Sequence, residues 1–349
     1  MRQLFCGLAV LGLLLAAGPA TATEENGNLL PFLQGLSVAG GVSAGEFYLS
    51  HSGPESADDQ LLLSNLLLEI SNDSQQPPIG FTIAAGETST PSLLGVPDNA
   101  NDLDIEYAYL SVRPHEGTTI EAGLLQPDSG YEASYTYDNH NLILGAVASQ
   151  QPYNAYGARL RQELGPLSLS AAYFNERLDD TEYAPDGGSA PDRSWEVVLG
   201  GTLAGWDYSL YHYHLAGRRN LTGAVIEQQG DRLLVAFDLD YWHWEQGEAP
   251  NGGRRYATGG ALYLVPRFGE FFLPLRLEYI DQGTSGVYLE AAEAKTITTV
   301  TLSPTYNLTE QAYLRAEAAY VHAREGFAKD DGTPKDDRLA LAMEVGYRF

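Results

Sequence analysis

Through most of this chain apolar residues recur at every second position, and the connections between the alternating runs are by turns short and long. At the C-terminus Leu339, Leu341, Met343, Val345, Tyr347 and Phe349 fall on one side, with Ala340, Ala342, Glu344, Gly346 and Arg348 on the other. A β-strand points successive side chains to opposite faces, whereas a helix would repeat every three to four residues. Leu273, Leu275, Leu277 and Tyr279 alternate in the same way with Arg276 and Glu278, and Leu314, Ala316, Ala318 and Tyr320 with Arg315 and Glu317. Leu233, Val235, Phe237, Leu239 and Tyr241 alternate with Asp238 and Asp240, while Leu167, Leu169, Ala171, Tyr173 and Trp195, Val197, Leu199 repeat the spacing. The chain is expected to be all-β.

Alternation alone does not separate a soluble sandwich from a transmembrane barrel, because each buries one face and wets the other. Three further features do. The runs reach about ten residues, the length a tilted membrane strand needs, where ordinary strands average about five to six. Trp195, Trp206, Tyr208, Tyr241, Tyr320, Tyr347 and Phe349 stand near run ends, where an interfacial girdle would place them. Short turns at 75–77, 114–117, 164–166, 203–205, 229–231, 266–270 and 303–309 alternate with long, mostly acidic connections at 52–59, 87–102, 126–153, 178–192, 246–253, 283–293 and 326–336. Outer-membrane barrels pair short periplasmic turns with long external loops. Counting back from Phe349 requires a strand over 221–228. The expectation is therefore a single antiparallel transmembrane β-barrel of about 16 strands, or about 14 if that stretch is a loop.

Composition narrows the function classes. The chain has 349 residues, 20 Lys+Arg against 46 Asp+Glu, and a net charge of −26, with no basic block to meet nucleic acid. Apolar residues make up 44% and charged ones 19%, which argues against disorder. Arg2, the apolar run 8–17 and Ala20-Thr21-Ala22 read as a cleaved signal peptide over 1–22. Residues 23–33 are then expected as an N-terminal periplasmic segment and 34–349 as the barrel. Cys6, the only cysteine, leaves with the signal, which excludes disulfides and thiolate chemistry.

Three stretches carry a family resemblance: Gly123-Leu124-Leu125 followed by Pro127 and Gly130-Tyr131-Glu132; Arg276-Leu277-Glu278-Tyr279 with Asp281, and Arg315-Ala316-Glu317; and the terminal Phe349. In these the chain resembles outer-membrane β-barrel porins of the OmpL-like family. Leu124 departs from the lysine or arginine usual there. The resemblance implies an outer-membrane porin of a Gram-negative bacterium giving passive, diffusive passage to small polar solutes or ions. It also implies that Tyr347 and Phe349 form the signal read by the barrel-assembly machinery.

Charge must avoid the lipid face of a barrel, where a midplane Lys or Arg costs about 2–4 kcal/mol. Arg276, Glu278, Arg315, Glu317, Asp238, Asp240, Arg159 and Arg161 are thus expected to point into the lumen, as are Glu69, Glu121 and Glu344. The longest connection carries Asp128, Glu132, Asp138 and His140 beside the apolar Leu142-Ile143-Leu144. An exposed loop has little use for that triplet, so it is expected to fold inward and narrow the lumen opposite Arg159 and Arg161, with acid facing base across the constriction. The acidic excess suggests a preference for cations. His212 and His214 share a face but lack a third metal ligand and alternate with Tyr211 and Tyr213, which suits an interfacial belt. The acidic runs near 179–182 and 330–337 match no complete calcium loop and read as solvated surface. No cofactor, metal or catalytic constellation is expected. The partners expected are membrane lipid, lipopolysaccharide and further copies of the chain in a homotrimer. The alternatives are an adhesive or structural barrel without an open channel and a secreted soluble β protein.

Overall fold

The computed structural model describes residues 35–53, 59–72, 78–89, 91–95, 103–176, 192–215, 219–244, 254–289, 291 and 293–349. The expected signal peptide and segment 23–33 lie outside the described residues, as does the acidic run at 179–182. From β1 (Leu36–Leu49) the chain runs through β2 (Asp59–Asn72), β3 (Ile79–Thr88), β4 (Asp104–His115), β5 (Thr118–Leu125) and β6 (Ala155–Leu164). It continues through β7 (Leu167–Glu176), β8 (Asp192–Leu203), β9 (Trp206–Leu215), β10 (Arg219–Gln229), β11 (Leu233–Trp244) and β12 (Tyr256–Phe268). The last segments are β13 (Phe271–Phe272), β14 (Leu275–Asp281), β15 (Thr296–Leu302), β16 (Thr305–Asn307), β17 (Ala312–Ala328) and β18 (Pro334–Arg348).

Two interruptions have one cause. Proline has no N–H to give to a ladder. Pro274 divides β13 from β14, and Pro304 divides β15 from β16, on adjacent strands. The Ser303 N–H bonds to the Pro274 carbonyl at 2.9 Å, so the two breaks face each other. Counted as single strands, these pairs give a closed antiparallel barrel of 16 strands. The stretch 221–228 is indeed a strand, inside β10, which excludes the count of 14. Closure runs through β1 and β18, from Gly41↔Arg348 to Leu49↔Ala340. Phe349 completes the seam by exchanging backbone hydrogen bonds with Gly40 at 3.0 and 3.1 Å.

Burial follows the alternation. On β18 the outward Met343 is 67% exposed while its inward neighbours Ala342 and Glu344 are 4% and 3%. Outward aromatics form two belts. Tyr173, Trp195, Tyr241, Tyr256 and Tyr279 stand near the ends joined by long connections, and Phe268, Tyr306, Tyr347 and Phe349 near the short turns. Two glycines on inner faces make room for tyrosine rings. A Cβ on Gly223 or Gly346 would lie 2.3 Å from the ring of Tyr211 or Tyr313, its cross-strand neighbour. Each ring therefore lies along the wall and reaches a carboxylate: Tyr211 crosses β10 to Asp238 and Asp240 on β11, and Tyr313 reaches Glu344 on the adjacent β18.

The connections depart from expectation in two places. The link between β17 and β18 is only five residues, Lys329 to Thr333, because both strands run on past the rim; a shift at 322–327 is absorbed by an irregularity that includes Glu325 at φ 52°. The turn expected at 303–309 is shorter, because Thr305–Asn307 belongs to the wall as β16.

Candidate functional site: the lumen and its inward connection

Residues 126–154, between β5 and β6, fold into the barrel. Leu142, Ile143, Ala146 and Val147 are fully buried against wall residues such as Ile280, Ile297 and Val321. Burying such a segment exposes its backbone to desolvation, so its N–H groups need partners. Wall carboxylates supply them. Glu317 accepts from the Leu142 and Ile143 N–H groups at 2.5 and 3.1 Å, and Glu278 from Val147 at 2.9 Å. Glu196 accepts from Asp128 and Ser129, both at 3.0 Å. In the other direction, Arg315 donates to the carbonyls of Thr136 and Asn141 at 2.9 and 3.4 Å, and the Thr136 hydroxyl donates to Glu344 at 2.5 Å. The connection is held by charge-assisted hydrogen bonds around much of the wall.

Its own acids are used differently. Glu132 accepts from Arg276 at 2.5 Å, the Gly145 N–H at 2.7 Å and Tyr263 at 2.9 Å. Arg276 also lies 3.2 Å from Glu278, so one buried guanidinium joins a loop carboxylate to a wall carboxylate. Gly145 fits because a Cβ there would stand 2.8 Å from the Glu278 carboxylate. Asp128 is 2.9 Å from Arg159 and 2.6 Å from Arg161, and Glu121 lies 2.6 and 3.3 Å from the same two arginines. Asp238 and Asp240 share two donors: Gln151 at 3.0 Å from each, and Tyr211 at 3.1 and 2.6 Å. Asp138 is exposed. His140, half-buried between Arg315 and Glu132, has its pKa pushed down to about 4, first by burial and then by the Arg315 charge.

The expected transverse field between the loop's acids and Arg159 and Arg161 is not the arrangement present. Those arginines stand at the root of the connection, where Asp128 and Glu121 already pair with both. Asp138 lies elsewhere, and Glu132 faces Arg276. Arg315 and Glu317, two apart on one face, do not pair with each other but take different parts of the connection. Sequence reasoning did not single out Glu196, Thr136, Asn141 and Gln151, since isolated polar residues on a strand or loop carry no pattern. It also missed a second inward connection. Residues 91–95 pair with the first through Leu93 N–H to the Leu144 carbonyl at 3.0 Å and Leu144 N–H to the Pro91 carbonyl at 2.8 Å. Arg338 on β18 donates to the Leu93 and Gly95 carbonyls at 3.1 and 2.9 Å.

Toward the long connections the inner wall is apolar: Phe47, Leu49, Phe174, Leu215, Trp242 and Trp244 pack with Leu93, Val147, Val287 and Tyr288. Toward the short turns it is polar along β6–β9, while Leu234, Ala236 and Val265 keep it apolar on β11 and β12. There the inner faces of β6–β9 line a cavity of about 530 Å³ with Asp128, Arg161, Glu163, Ser168, Ser170, Thr202, Asp207 and Ser209. No group of three or more His, Cys, Asp or Glu suited to a metal ion occurs among the described residues.

A closed antiparallel barrel with an apolar outer band, two aromatic belts and a charged, inward-folded connection defines an outer-membrane protein of porin type. The sequence matches the family model described as "Putative beta-barrel porin-2, OmpL-like" over residues 45–349, and the chain belongs to that family. It is an outer-membrane β-barrel protein. Among solved structures it is similar to OmpT, an outer membrane protein of Vibrio cholerae, at 12% identity, TM-score 0.61 and coverage of 90% of this chain and 97% of that one. It is also similar to the outer membrane channel DcaP of Acinetobacter baumannii (13% identity, TM-score 0.58, coverage 90% and 97%). A mutant of Rh. blastica porin aligns at 14% identity, TM-score 0.55, with coverage of 90% and 100%. At these identities the likeness is one of fold. No curated protein matches the sequence.

Proposed function

We propose that this protein is a passive, non-enzymatic channel for small hydrophilic solutes or ions, with a preference for cations. The observation that carries the reading is the polar cavity at the short-turn end of the lumen. It presents Asp128, Glu163 and Asp207 against a single guanidinium, Arg161, which Asp128 already engages. Uncompensated carboxylates lining a water-accessible passage concentrate cations by field focusing. The inward connection would set the width, and the pinned arginines Arg159, Arg276 and Arg315 would hold it in place rather than attract anions. The DcaP likeness, to a protein described as an outer membrane channel, supports the general reading. So does the family's description as a porin.

Assembly as a homotrimer is part of the proposal; one OmpT structure of this fold is described as a trimer form. Insertion through the barrel-assembly machinery by way of Tyr347 and Phe349 is another part. Both side chains stand outward at the seam, where a docking strand would meet them.

Planar-bilayer recording of refolded protein under a salt gradient tests the reading. A stable conductance with a cation-selective reversal potential is expected. Absence of conductance from folded, inserted protein would favour a barrel with a structural or adhesive role, and an anion-selective potential would reject the cation preference.

A further inference from the structure

A row on the outer surface, at the rim joined by the long connections, runs against the charge of the chain. The net charge is −26, yet among the described residues the outer faces of β8 to β12 carry no carboxylate and do carry Arg193, His212, His214 and His243. The orientation is set by alternation. His212 and His214 flank Tyr213, which is buried inside, and His243 lies between the buried Trp242 and Trp244. Register places these side chains in one continuous line: Trp195↔His214, His214↔Asn220, Asn220↔His243, His243↔Tyr256. At the end of the line the Arg254 guanidinium lies 3.6 Å over the Tyr256 ring and 2.7 Å from Asp281.

The rings are held ready for a ligand on their outer side. Trp195 packs against His212 and His214 with centroids 5.1 and 5.3 Å away. The His212 Nδ1 bonds to the Thr222 hydroxyl at 2.7 Å, and the His214 Nδ1 to the Asn220 side-chain oxygen. That amide oxygen only accepts, so the His214 Nδ1 carries hydrogen, and its Nε2 donates to an outside anion when the ring is protonated to imidazolium. A single metal ion does not fit the whole row. His214 and His243 stand two strands apart, about 10 Å at ordinary strand spacing, and among the described residues no third ligand joins His212 and His214.

We propose that this row binds the phosphate-bearing headgroup of an anionic glycolipid in the outer leaflet. The height is that of the aromatic belt, where headgroups lie. Hydrocarbon has no use for imidazole or guanidinium donors, whereas a phosphate monoester accepts charge-assisted hydrogen bonds from both. The site rests on the outer-membrane location of the barrel and not on the channel reading, so either can fail alone.

The test uses the refolded full-length barrel in phosphatidylcholine nanodiscs containing either bis-phosphorylated or dephosphorylated lipid A, with retained lipid counted by native mass spectrometry. Bis-phosphorylated lipid A should be retained in preference. The combined variant Arg193→Gln, His214→Gln, His243→Gln should weaken retention about tenfold or more. Inorganic phosphate in solution should not displace the lipid. Equal retention of both lipids, unchanged retention by the variant, displacement by inorganic phosphate, or a variant that changes only the oligomeric state would each overturn the proposal. Should the variant fail to fold, histidine-ring NMR of the unaltered protein decides the matter: resonances that move with bis-phosphorylated lipid A alone support the site, and unmoved resonances reject it.

Discussion

The carboxylate of Glu317 on β17 accepts the backbone N–H of Leu142 at 2.5 Å, across 175 residues of sequence. A wall side chain thereby satisfies backbone N–H groups of a loop buried in the lumen, as one anchor among several. Glu317→Ala removes the acceptor for two buried N–H groups, each costing about 1–3 kcal/mol when left unmet. Single-channel recordings of this variant should show larger and noisier conductance, with Glu317→Gln intermediate because it keeps one acceptor oxygen. Deletion of 138–149 should raise conductance further. Unchanged conductance after that deletion would show that the connection does not restrict the passage.

Arg276 joins Glu132 to Glu278 in a buried triad. Arg276→Met strands two carboxylates without a cation, and breaking a buried pair costs about 3–5 kcal/mol. The variant barrel should lose its heat-modifiable gel migration at a lower temperature than the parent. An Arg276→Met, Glu132→Gln double variant should recover part of the loss.

Gly346 and Gly223 matter through the tyrosines that cover them. Gly346→Val drives a side chain into the Tyr313 ring and displaces its hydroxyl from Glu344, where it donates at 2.8 Å. Overpacking of this kind costs about 1–3 kcal/mol. Urea unfolding in detergent should shift accordingly, while Gly346→Ala should cost less.

Acid should loosen the inward connection. His140 titrates near 6.5 when free and at about 4 when docked. The undocked form therefore binds more protons between those values, so docking is fully favoured above pH 6.5 and weakens as pH falls toward 4, by about 3 kcal/mol across the window. Channel opening in bilayers should increase over that range, and His140→Phe should flatten the dependence. A profile that His140→Phe leaves intact would assign the effect to the wall carboxylates instead.

Glu163 and Asp207 line the polar cavity without an ion-pair partner among the described residues. The double variant Glu163→Gln, Asp207→Asn should move the reversal potential toward that of a non-selective pore while the barrel folds normally.

The sequence by itself determined the barrel. Period-two alternation fixed which face of β11, β14, β17 and β18 meets lipid, because one residue of slippage would put Asp238 or Arg276 into hydrocarbon. The alternation of short and long connections set the strand parity and left the count at 16 or 14, which the strand over 221–228 then decided. It also marked the connection at 126–153 as abnormal, since a solvated loop does not need Leu142-Ile143-Leu144. Tertiary structure alone decided the partners. Arg159 and Arg161 meet Asp128 and not Asp138, Arg315 and Glu317 part company, and Glu196 and Gln151 become anchors. Strand periodicity says which way a side chain points, but which groups meet inside a closed cylinder depends on barrel curvature and on the path of a loop held by backbone N–H groups, and every residue except proline supplies one of those regardless of its side chain.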